Sequence, residues 1–243
     1  MSGEQQGHQP ITFHHLGSPV FADRSGAFVW PEKNLVVVAD LHFEKGSSFA
    51  RRGSPIPPYD TKSTLAGLAA VLKRWSPKRV ISLGDGFHDV EASRRLSDHD
   101  RAGLKQLTAR HDWIWITGNH DPLPPDDVGG TTAEVVEIDG LIFRHMPCYG
   151  HGGDEAGGGV QGEIAGHLHP KASVVARGRR VCRPCFVADG RRALLPAFGS
   201  YTGGLSLRDP AVSSLFPQDY RAYLLGRDRL HMVGRRQVEF PSG

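Results

Sequence analysis

Five short apolar segments of this 243-residue chain each end in residues that bind metal ions in proteins. The donors are aspartate, histidine and asparagine, and each set follows a segment of strand-like composition. In chain order the sets are Asp40-Leu41-His42, Gly84-Asp85-Gly86-Phe87-His88, Gly118-Asn119-His120-Asp121, His145, and Gly166-His167-Leu168-His169. One such set alone carries little weight, but its repetition at five strand ends predicts a single composite metal site.

The spacing and the number of these donors indicate two metal ions. Because residues i and i+2 of a strand point the same way, Asp40 with His42, and His167 with His169, can each present two ligands to one point. Parallel strands place functional residues at their C-terminal edge, and seven donors there exceed the four of a tetrahedral ion. They suit two ions about 3.5–4 Å apart, with Asp85 as the bridging carboxylate. The seven donors are Asp40, His42, Asp85, Asn119, His145, His167 and His169.

The segments between the donor sets predict strands and helices that alternate in the first half of the chain. Leu35–Ala39 is continuously apolar, which is typical of a strand buried on both faces. Helices are predicted from Asp60, as the N-cap, and from Ser97 or Asp98 to Ala109, whereas residues 46–59 predict a polar loop. From residue 133 onward strand follows strand, with a hairpin turn at Asp139-Gly140. This order predicts an α/β fold of two packed sheets with helices outside them.

The remaining composition predicts one cytoplasmic domain. No run approaches the roughly 20 apolar residues of a membrane span, and residues 1–10 lack the layout of a signal peptide. We expect residues 1–10 to be a disordered lead-in and residues 11–243 to form a single domain. Three cysteines cannot all pair, which favours a reducing compartment, and Cys182-Arg183-Pro184-Cys185 is better explained as part of a strand than as half of a zinc site. Arginine clusters, 177–183 among them, fit a solvated surface and a nucleic-acid contact equally well.

Taken in this order, the five donor sets resemble the signature of the calcineurin-like metallophosphoesterase superfamily. Longer strings resemble one subgroup of it, the bacterial DNA ligase-associated metallophosphoesterases (PdeM), and together the similar stretches run from about residue 20 to residue 223. These strings occupy residues 39–46, 49–53, 57–61, 166–171, 183–187 and 195–204.

The resemblance implies a four-layer αββα sandwich, formed by two mixed β-sheets flanked by helices, with a centre for two divalent metal ions. Mn²⁺ is the expected metal, and a donor set without thiolate also suits Fe or Zn²⁺. The first ion would be bound by Asp40, His42, Asp85 and His169. The second would be bound by Asp85, Asn119, His145 and His167.

The implied reaction is attack of a metal-bound hydroxide on phosphorus, in line with the leaving oxygen. His120, oriented by Asp121, would stabilise the transition state or protonate the leaving group. The resemblance therefore implies a phosphodiesterase or nuclease that acts on DNA in a repair setting, beside a DNA ligase and its associated repair proteins. A small-molecule phosphatase or nucleotide pyrophosphatase is the alternative, and a non-catalytic scaffold is less favoured because the donor set is complete.

Substrate contacts are less specified by the sequence. Lys45, Arg51 and Arg52 follow the first donor set and fit either contact with a phosphate backbone or a solvated loop, and His88 fits either a substrate contact or support of its own loop. The chain departs from the expected pattern at Met146, where an acidic residue is typical, and at Gly86, which removes a side chain beside the metals. Residues 150–159 are glycine-rich, as either a lid or a simple insertion would be.

Overall fold

Two β-sheets form the centre of the structure, a computed structural model that describes residues 7–13, 16–54, 57, 59–120, 124–149, 161–176 and 178–239. The first sheet has seven strands that are neighbours in chain order, β1 to β7. They are β1 (His8–Ile11), β2 (Val20–Asp23), β3 (Phe28–Trp30), β4 (Leu35–Ala39), β5 (Arg79–Leu83), β6 (Asp112–Ile116) and β7 (Thr131–Ala133). The first four pair antiparallel, whereas β4 to β7 run parallel to one another.

The second sheet has eight strands in the order β15-β14-β12-β13-β10-β9-β8, with β11 paired to β12 off that path. They are β8 (Val135–Ile138), β9 (Leu141–Arg144), β10 (Gly162–Ala165), β11 (Lys171–Ala176), β12 (Arg179–Ala188), β13 (Arg192–Leu194), β14 (Arg221–Leu225) and β15 (Leu230–Gly234). Its three neighbours β9, β10 and β13 run parallel, and its other pairs are antiparallel.

Three apolar clusters show how the layers stack. The central one joins the inner faces of the two sheets, where the rings of Phe28 and Phe143 meet at 6.4 Å between centroids. A second cluster lies between the first sheet and its helices, and a third covers the outer face of the second sheet. The helices are α1 (Lys45–Arg51), α2 (Asp60–Trp75), α3 (Ala92–Arg95), α4 (Asp98–Thr108), α5 (Pro210–Ser213) and α6 (Arg235–Glu239). The predicted αββα sandwich of two mixed sheets is confirmed.

Strand β4 shows why an unbroken apolar run was informative. Leu35, Val37 and Ala39 face the central cluster, whereas Val36 and Val38 face the helical layer. Both sides of the strand are therefore buried, and the sequence has no polar residue to alternate with them.

The predicted loop over residues 46–59 is wrong in its first part, because α1 begins at Lys45. This helix is fixed largely by polar contacts. The Glu44 carboxylate accepts hydrogen bonds from Ser47 and Thr61, and the Gly46 N–H donates to the Asp60 carboxylate at 2.9 Å. A helix held in this way has no apolar periodicity for the sequence to display. The N-cap of α2 is Tyr59, not Asp60, whose side chain is committed to α1.

The N-terminal prediction is also corrected. Residues 8–10 belong to β1, whose His8 ring packs on Phe21 and Trp75 at 5.1 Å from each. A strand at the sheet edge that carries mostly polar residues lacks the alternation that would have identified it. Asp121 and residues 150–159 lie outside the described residues, so the orienting role of Asp121 and the lid stay predictions.

Two smaller predictions are confirmed. Asp139 and Gly140 both have positive φ, 47° and 76°, at the turn between β8 and β9. Cys182 and Cys185 lie in β12, the first exposed and the second buried. Among the described residues, none of the helices combines the length and the apolar character needed to cross a membrane.

Candidate metal centre

Every donor set of the candidate site follows the C-terminal end of a parallel strand. In the first sheet, β4, β5 and β6 lead directly to Asp40, Asp85 and Asn119. In the second sheet, β9 leads to His145 and β10 to His167. Since the two sheets pack face to face, their strand ends meet at one edge of the sandwich. The fold thus brings together residues that are more than a hundred positions apart.

Two groups of metal-binding side chains lie at this edge, each with its donor atoms within 4.8 Å of one another. The first group consists of Asp40, His42 and His169. The His169 Nε2 atom lies 3.3 Å from both the Asp40 Oδ1 and the His42 Nε2. Asp40 and His42 are almost completely buried, so this group faces inward.

The second group consists of Asp85, His145 and His167. The His145 Nε2 atom is 3.5 Å from Asp85 Oδ2, 3.1 Å from His167 Nδ1 and 2.8 Å from Asn119 Oδ1. Asn119 therefore contacts this group although its own side chain is exposed. His167 and His169 fall in different groups, so the expectation from strand alternation that they serve one point is wrong, whereas the two ligand sets implied by the resemblance place them in these same groups. Both have positive φ, 65° and 45°, which breaks the two-residue alternation of a strand.

Asp85 lies between the two groups. Its Oδ2 is 3.5 Å from the His145 Nε2 and 4.0 Å from the His42 Nε2. Its Oδ1 accepts the backbone N–H of His120 at 2.9 Å, which fixes the plane of the carboxylate. One carboxylate oxygen thus reaches both groups, as a bridging ligand must.

The hydrogen bonds around His145 test whether the site suits a cation. Its Nδ1 lies 2.9 Å from the Leu83 carbonyl oxygen, which can only accept, so Nδ1 carries the proton. In the neutral ring, Nε2 then carries no proton, and its lone pair faces the Asn119 and Asp85 oxygens. Acceptors that converge without a proton between them repel one another, and a divalent cation would satisfy all of them. The residues present therefore fit a pair of metal ions.

The protonation states of Asp40 and His42, in the first group, are also consistent with metal binding. Burial lowers the pKa of His42 to about 3, although the Asp40 charge opposes the shift. Burial alone would raise the pKa of Asp40, but the hydrogen bond and charge interactions with His169 and neighbouring histidines outweigh it and lower the pKa. At neutral pH the imidazole is neutral and the carboxylate is ionised, and these are the forms that bind metals.

The backbone at the site is held in an uncommon conformation. Five of the six grouped residues have a left-handed φ, between 45° and 65°. Such a conformation costs a non-glycine residue about 1–3 kcal/mol, and it persists only where surrounding contacts impose it. The five residues are Asp40, His42, Asp85, His167 and His169.

Close contacts around the donors explain the glycines of the motifs. A Cβ on Gly118 would lie 2.2 Å from the Asp85 backbone nitrogen and 2.3 Å from its Oδ1. A Cβ on Gly166 would lie 2.7 Å from Asp40 Oδ2. Neither position can carry a side chain without displacing a donor.

His120 lies at the exposed rim of this edge. Its Nδ1 is 3.1 Å from the His88 carbonyl oxygen, and its ring centroid is 5.3 Å from that of His42. The His88 ring stacks on His120 at 5.5 Å and on Phe49 at 6.1 Å, so three rings form a continuous stack. Burial, followed by the charges of Lys45 and His120, lowers the pKa of His88 to about 4. His88 is thus a neutral ring that supports His120.

The basic residues predicted near the site differ in their placement. Lys45 is half-buried and its pKa is lowered, chiefly by burial, with Lys171 among the charges that contribute. Arg52 is exposed but close enough to His88 to contribute to its lowered pKa, whereas Arg51 is exposed and has no described contact with the donors. Sequence reasoning missed Lys171 and Phe49. The position of Lys171, two residues after His169, was the available signal for the first, and nothing in the sequence pointed to the second.

Comparison with known proteins yields one informative relative. No family model matches the chain, and no curated protein matches it. The crystal structure of the nuclease MPE from Pseudomonas putida is 29% identical to this chain, covers 92% of it and 100% of its own chain, and has a TM-score of 0.68. Yfce, a phosphoesterase from E. coli, is 14% identical over 84% of this chain and 98% of its own, with a TM-score of 0.40. The chain has the metallophosphoesterase fold, and the donor groups at its strand ends are those of a metal-dependent phosphoric ester hydrolase.

Proposed function

We propose that this protein is a di-metal phosphodiesterase that cleaves DNA strands. The observation that carries the proposal is the arrangement of two donor groups around one shared carboxylate, Asp85. Two ions held in this way suit an in-line displacement at phosphorus, because they stabilise charge on both the attacking and the leaving oxygens. The similarity to the Pseudomonas nuclease over nearly the whole chain supports a polynucleotide as the substrate.

Different residues of the chain have different roles in the proposed reaction. When bound, the two ions supply Lewis acidity and an activated water at neutral pH. Asp40, His42 and His169 would hold one ion, Asn119, His145 and His167 would hold the other, and Asp85 would contribute to both. The Leu83 carbonyl fixes the His145 tautomer and so directs its Nε2 lone pair into the site.

His120 is the proton donor of the proposal. Its Nδ1–H donates to the His88 carbonyl, so Nε2 carries a proton only in the imidazolium form, and in that form it would donate this proton to the leaving-group oxygen and return to the neutral ring. The bond from its backbone N–H to Asp85 ties the position of this residue to the bridging carboxylate. Asp121 would orient the ring further.

The metals, the partners and the location belong to the same proposal. Mn²⁺ suits a mixed set of carboxylate, amide and imidazole donors, as do Fe and Zn²⁺. The strings that resemble the ligase-associated subgroup support a repair setting beside a DNA ligase. The three cysteines are all free, which supports a reducing, cytoplasmic environment.

The first test compares a diester with a monoester. Bis(para-nitrophenyl) phosphate and para-nitrophenyl phosphate are offered to chelated protein before and after addition of Mn²⁺. We expect Mn²⁺ to restore hydrolysis of the diester, and Asp85→Asn to abolish it, while the exposed control Glu137→Gln keeps wild-type activity. Activity confined to the monoester would replace the proposal with a phosphatase. If both esters are inert, cleavage of single-stranded and duplex oligonucleotides decides between a nuclease and a non-catalytic scaffold.

A further inference from the structure

A groove of about 690 Å³ lies between two hairpins of the second sheet, β11–β12 and β14–β15. Its apolar lining is aliphatic and includes Val174, Val181, Leu224 and Met232. Met232 is half exposed, so part of this apolar surface is open to solvent. The groove is separate from the two donor groups and has no part in the chemistry proposed above.

The charges of the groove are all of one sign. Arg183, Arg227, Arg229 and His231 line it, and none of its described lining residues is acidic. Arg24 adds a further guanidinium, because its Nη1 donates to the Arg227 carbonyl at 3.3 Å. Asp228, in the turn between Arg227 and Arg229, is exposed and does not line the groove.

The three arginines of the groove have no described carboxylate partner. Across the described part of the chain, seven other arginines form ion pairs with carboxylates, whereas Arg183, Arg227 and Arg229 form none. The side chain of Arg183 contacts only the neighbouring Cys182 carbonyl among its described partners. Three unpaired guanidiniums beside one groove repel one another and would be relieved by an anionic ligand.

Strand β11 connects the metal centre to the groove, which its residues 174–176 help to line. Lys171 follows the donor His169 by two residues and begins β11, and Arg183 of β12 lies opposite Ala172. The Cα of Arg183 is therefore within roughly 16 Å of the Cα of His169, at about 3.5 Å per residue along the strand and about 5 Å across the pair. A strand whose phosphate lies at the metals can reach the groove within a few nucleotides.

We propose that this groove binds the sugar–phosphate backbone of a nucleic-acid strand on one side of the scissile phosphate, which rests on the proposed nuclease function. Arg183, Arg227 and Arg229 contact the phosphates, and the aliphatic floor packs against sugars. Arginine forms bidentate bonds with phosphate and fixes the register of a strand without reading its bases. An acidic peptide would complement the same charge, but the short path along β11 from the donor His169 to Arg183 favours a strand that also lies at the metals.

The test removes the three charges and compares the result with a matched control. The groove variant is Arg183→Ala/Arg227→Ala/Arg229→Ala. The control variant, Lys73→Ala/Arg110→Ala/Arg191→Ala, removes three exposed charges that have no described side-chain partner. Binding of a fluorescein-labelled oligothymidine of about twenty nucleotides is followed by anisotropy in chelator, and cleavage of the same strand is measured with Mn²⁺.

We expect the groove variant to bind the oligonucleotide at least about tenfold more weakly, and the slope of log affinity against log salt to fall by about 2, since each lost phosphate contact on a single strand removes about 0.7. KM for cleavage should rise accordingly. Hydrolysis of bis(para-nitrophenyl) phosphate and of a dinucleotide should stay at the wild-type rate, because neither reaches the groove. Replacing the three arginines by lysine should restore most of the salt slope.

The outcomes separate this proposal from the function on which it rests. If wild type cleaves the oligonucleotide and the groove variant matches the control in affinity and slope, the groove proposal is wrong and the nuclease stands. If wild type neither binds nor cleaves the oligonucleotide, the nuclease function is wrong, and the groove proposal with it. Tighter binding of an acidic peptide than of the oligonucleotide, lost in the groove variant alone, would assign the groove to a protein partner instead.

Discussion

Two buried aspartates, Asp23 and Asp40, show what distinguishes a structural carboxylate from a functional one. Both are wholly excluded from solvent. Asp23 accepts hydrogen bonds from Arg74, Trp75 and the backbone N–H of Ser25, so its charge is met by donors. Asp40 accepts one backbone N–H, that of His167 at 3.0 Å, and otherwise faces the ring nitrogens of His169 and His145, at 3.3 Å and 3.7 Å.

The backbone differs in the same way. Asp23 ends a regular strand, β2, whereas Asp40 has a φ of 53° just beyond the end of β4. Burial of charge is therefore not the signature of the site. Its signature is the convergence of carboxylate and imidazole groups on strained backbone, an arrangement that a bound cation would complete.

The largest test of this contrast is Asp40→Asn. We expect the turnover of bis(para-nitrophenyl) phosphate to fall by about a thousandfold or more, because one ion loses its only carboxylate other than the bridge. Metal content, measured by mass spectrometry, should fall with it. Added Mn²⁺ should raise the melting temperature of wild type and leave that of the variant nearly unchanged. A variant that melts well below wild type in chelator would make Asp40 a structural residue like Asp23.

Next in size is His120→Asn. Loss of a proton donor typically costs about 10²–10⁴ in rate, and we expect a loss in this range with the metal content of wild type. The effect should shrink for a diester whose leaving group needs no proton, such as para-nitrophenolate, and remain full for DNA. A parallel loss of metal would show instead that the His120 side chain is needed for metal binding, since the backbone N–H that holds Asp85 is kept in the variant.

The contrast between regular strands and left-handed backbone also explains which features could be predicted from the sequence. The donors were identifiable because five strands end in them, and buried parallel strands are visible as apolar runs such as Leu35–Ala39. The division of His167 and His169 between two groups was implied by the family resemblance but not by strand alternation, because it depends on left-handed φ values that no periodicity reports. The helix α1 escaped prediction for a related reason: Glu44 and Asp60 hold it by polar contacts instead of an apolar stripe.

Asp23→Asn tests the structural side of the comparison. We expect it to lower the free energy of unfolding by about 1.5–3 kcal/mol, the usual value of hydrogen bonds to a charged group, while the folded protein keeps its metal and its rate. Urea titration of the chelated protein, followed by circular dichroism, measures this. Loss of activity at full stability would contradict the assignment.

The pKa of Asp23 predicts how the stability difference between wild type and Asp23→Asn depends on pH. Burial would raise it, but bonds from Ser25, Trp75 and Arg74 outweigh burial and lower the pKa below its ordinary value of 3.8. A lowered folded-state pKa contributes stability above pH ~4, which is lost as the pH falls through the folded value. The stability gap between wild type and Asp23→Asn should therefore be constant near neutral pH and narrow below pH ~4. A gap that stays constant to lower pH would mean that the charge of Asp23 contributes nothing.

The smallest expected effect is that of Phe49→Ala, at the outer end of the ring stack. Phe49 touches neither donor group, and its described ring contact is with His88, which in turn stacks on His120. Since a stacked pair contributes about 0.5–1.5 kcal/mol, we expect turnover to fall about two- to tenfold through a less well positioned His120, with KM and metal content unchanged. Tyr59→Ala, which removes another exposed ring without a described ring contact, is the control and should have no effect. If Phe49→Ala instead raises KM for DNA and leaves hydrolysis of the small diester unchanged, Phe49 stacks on a base of the substrate. The edge that carries the donor groups would then also contact the substrate, which the surroundings of Asp23 do not.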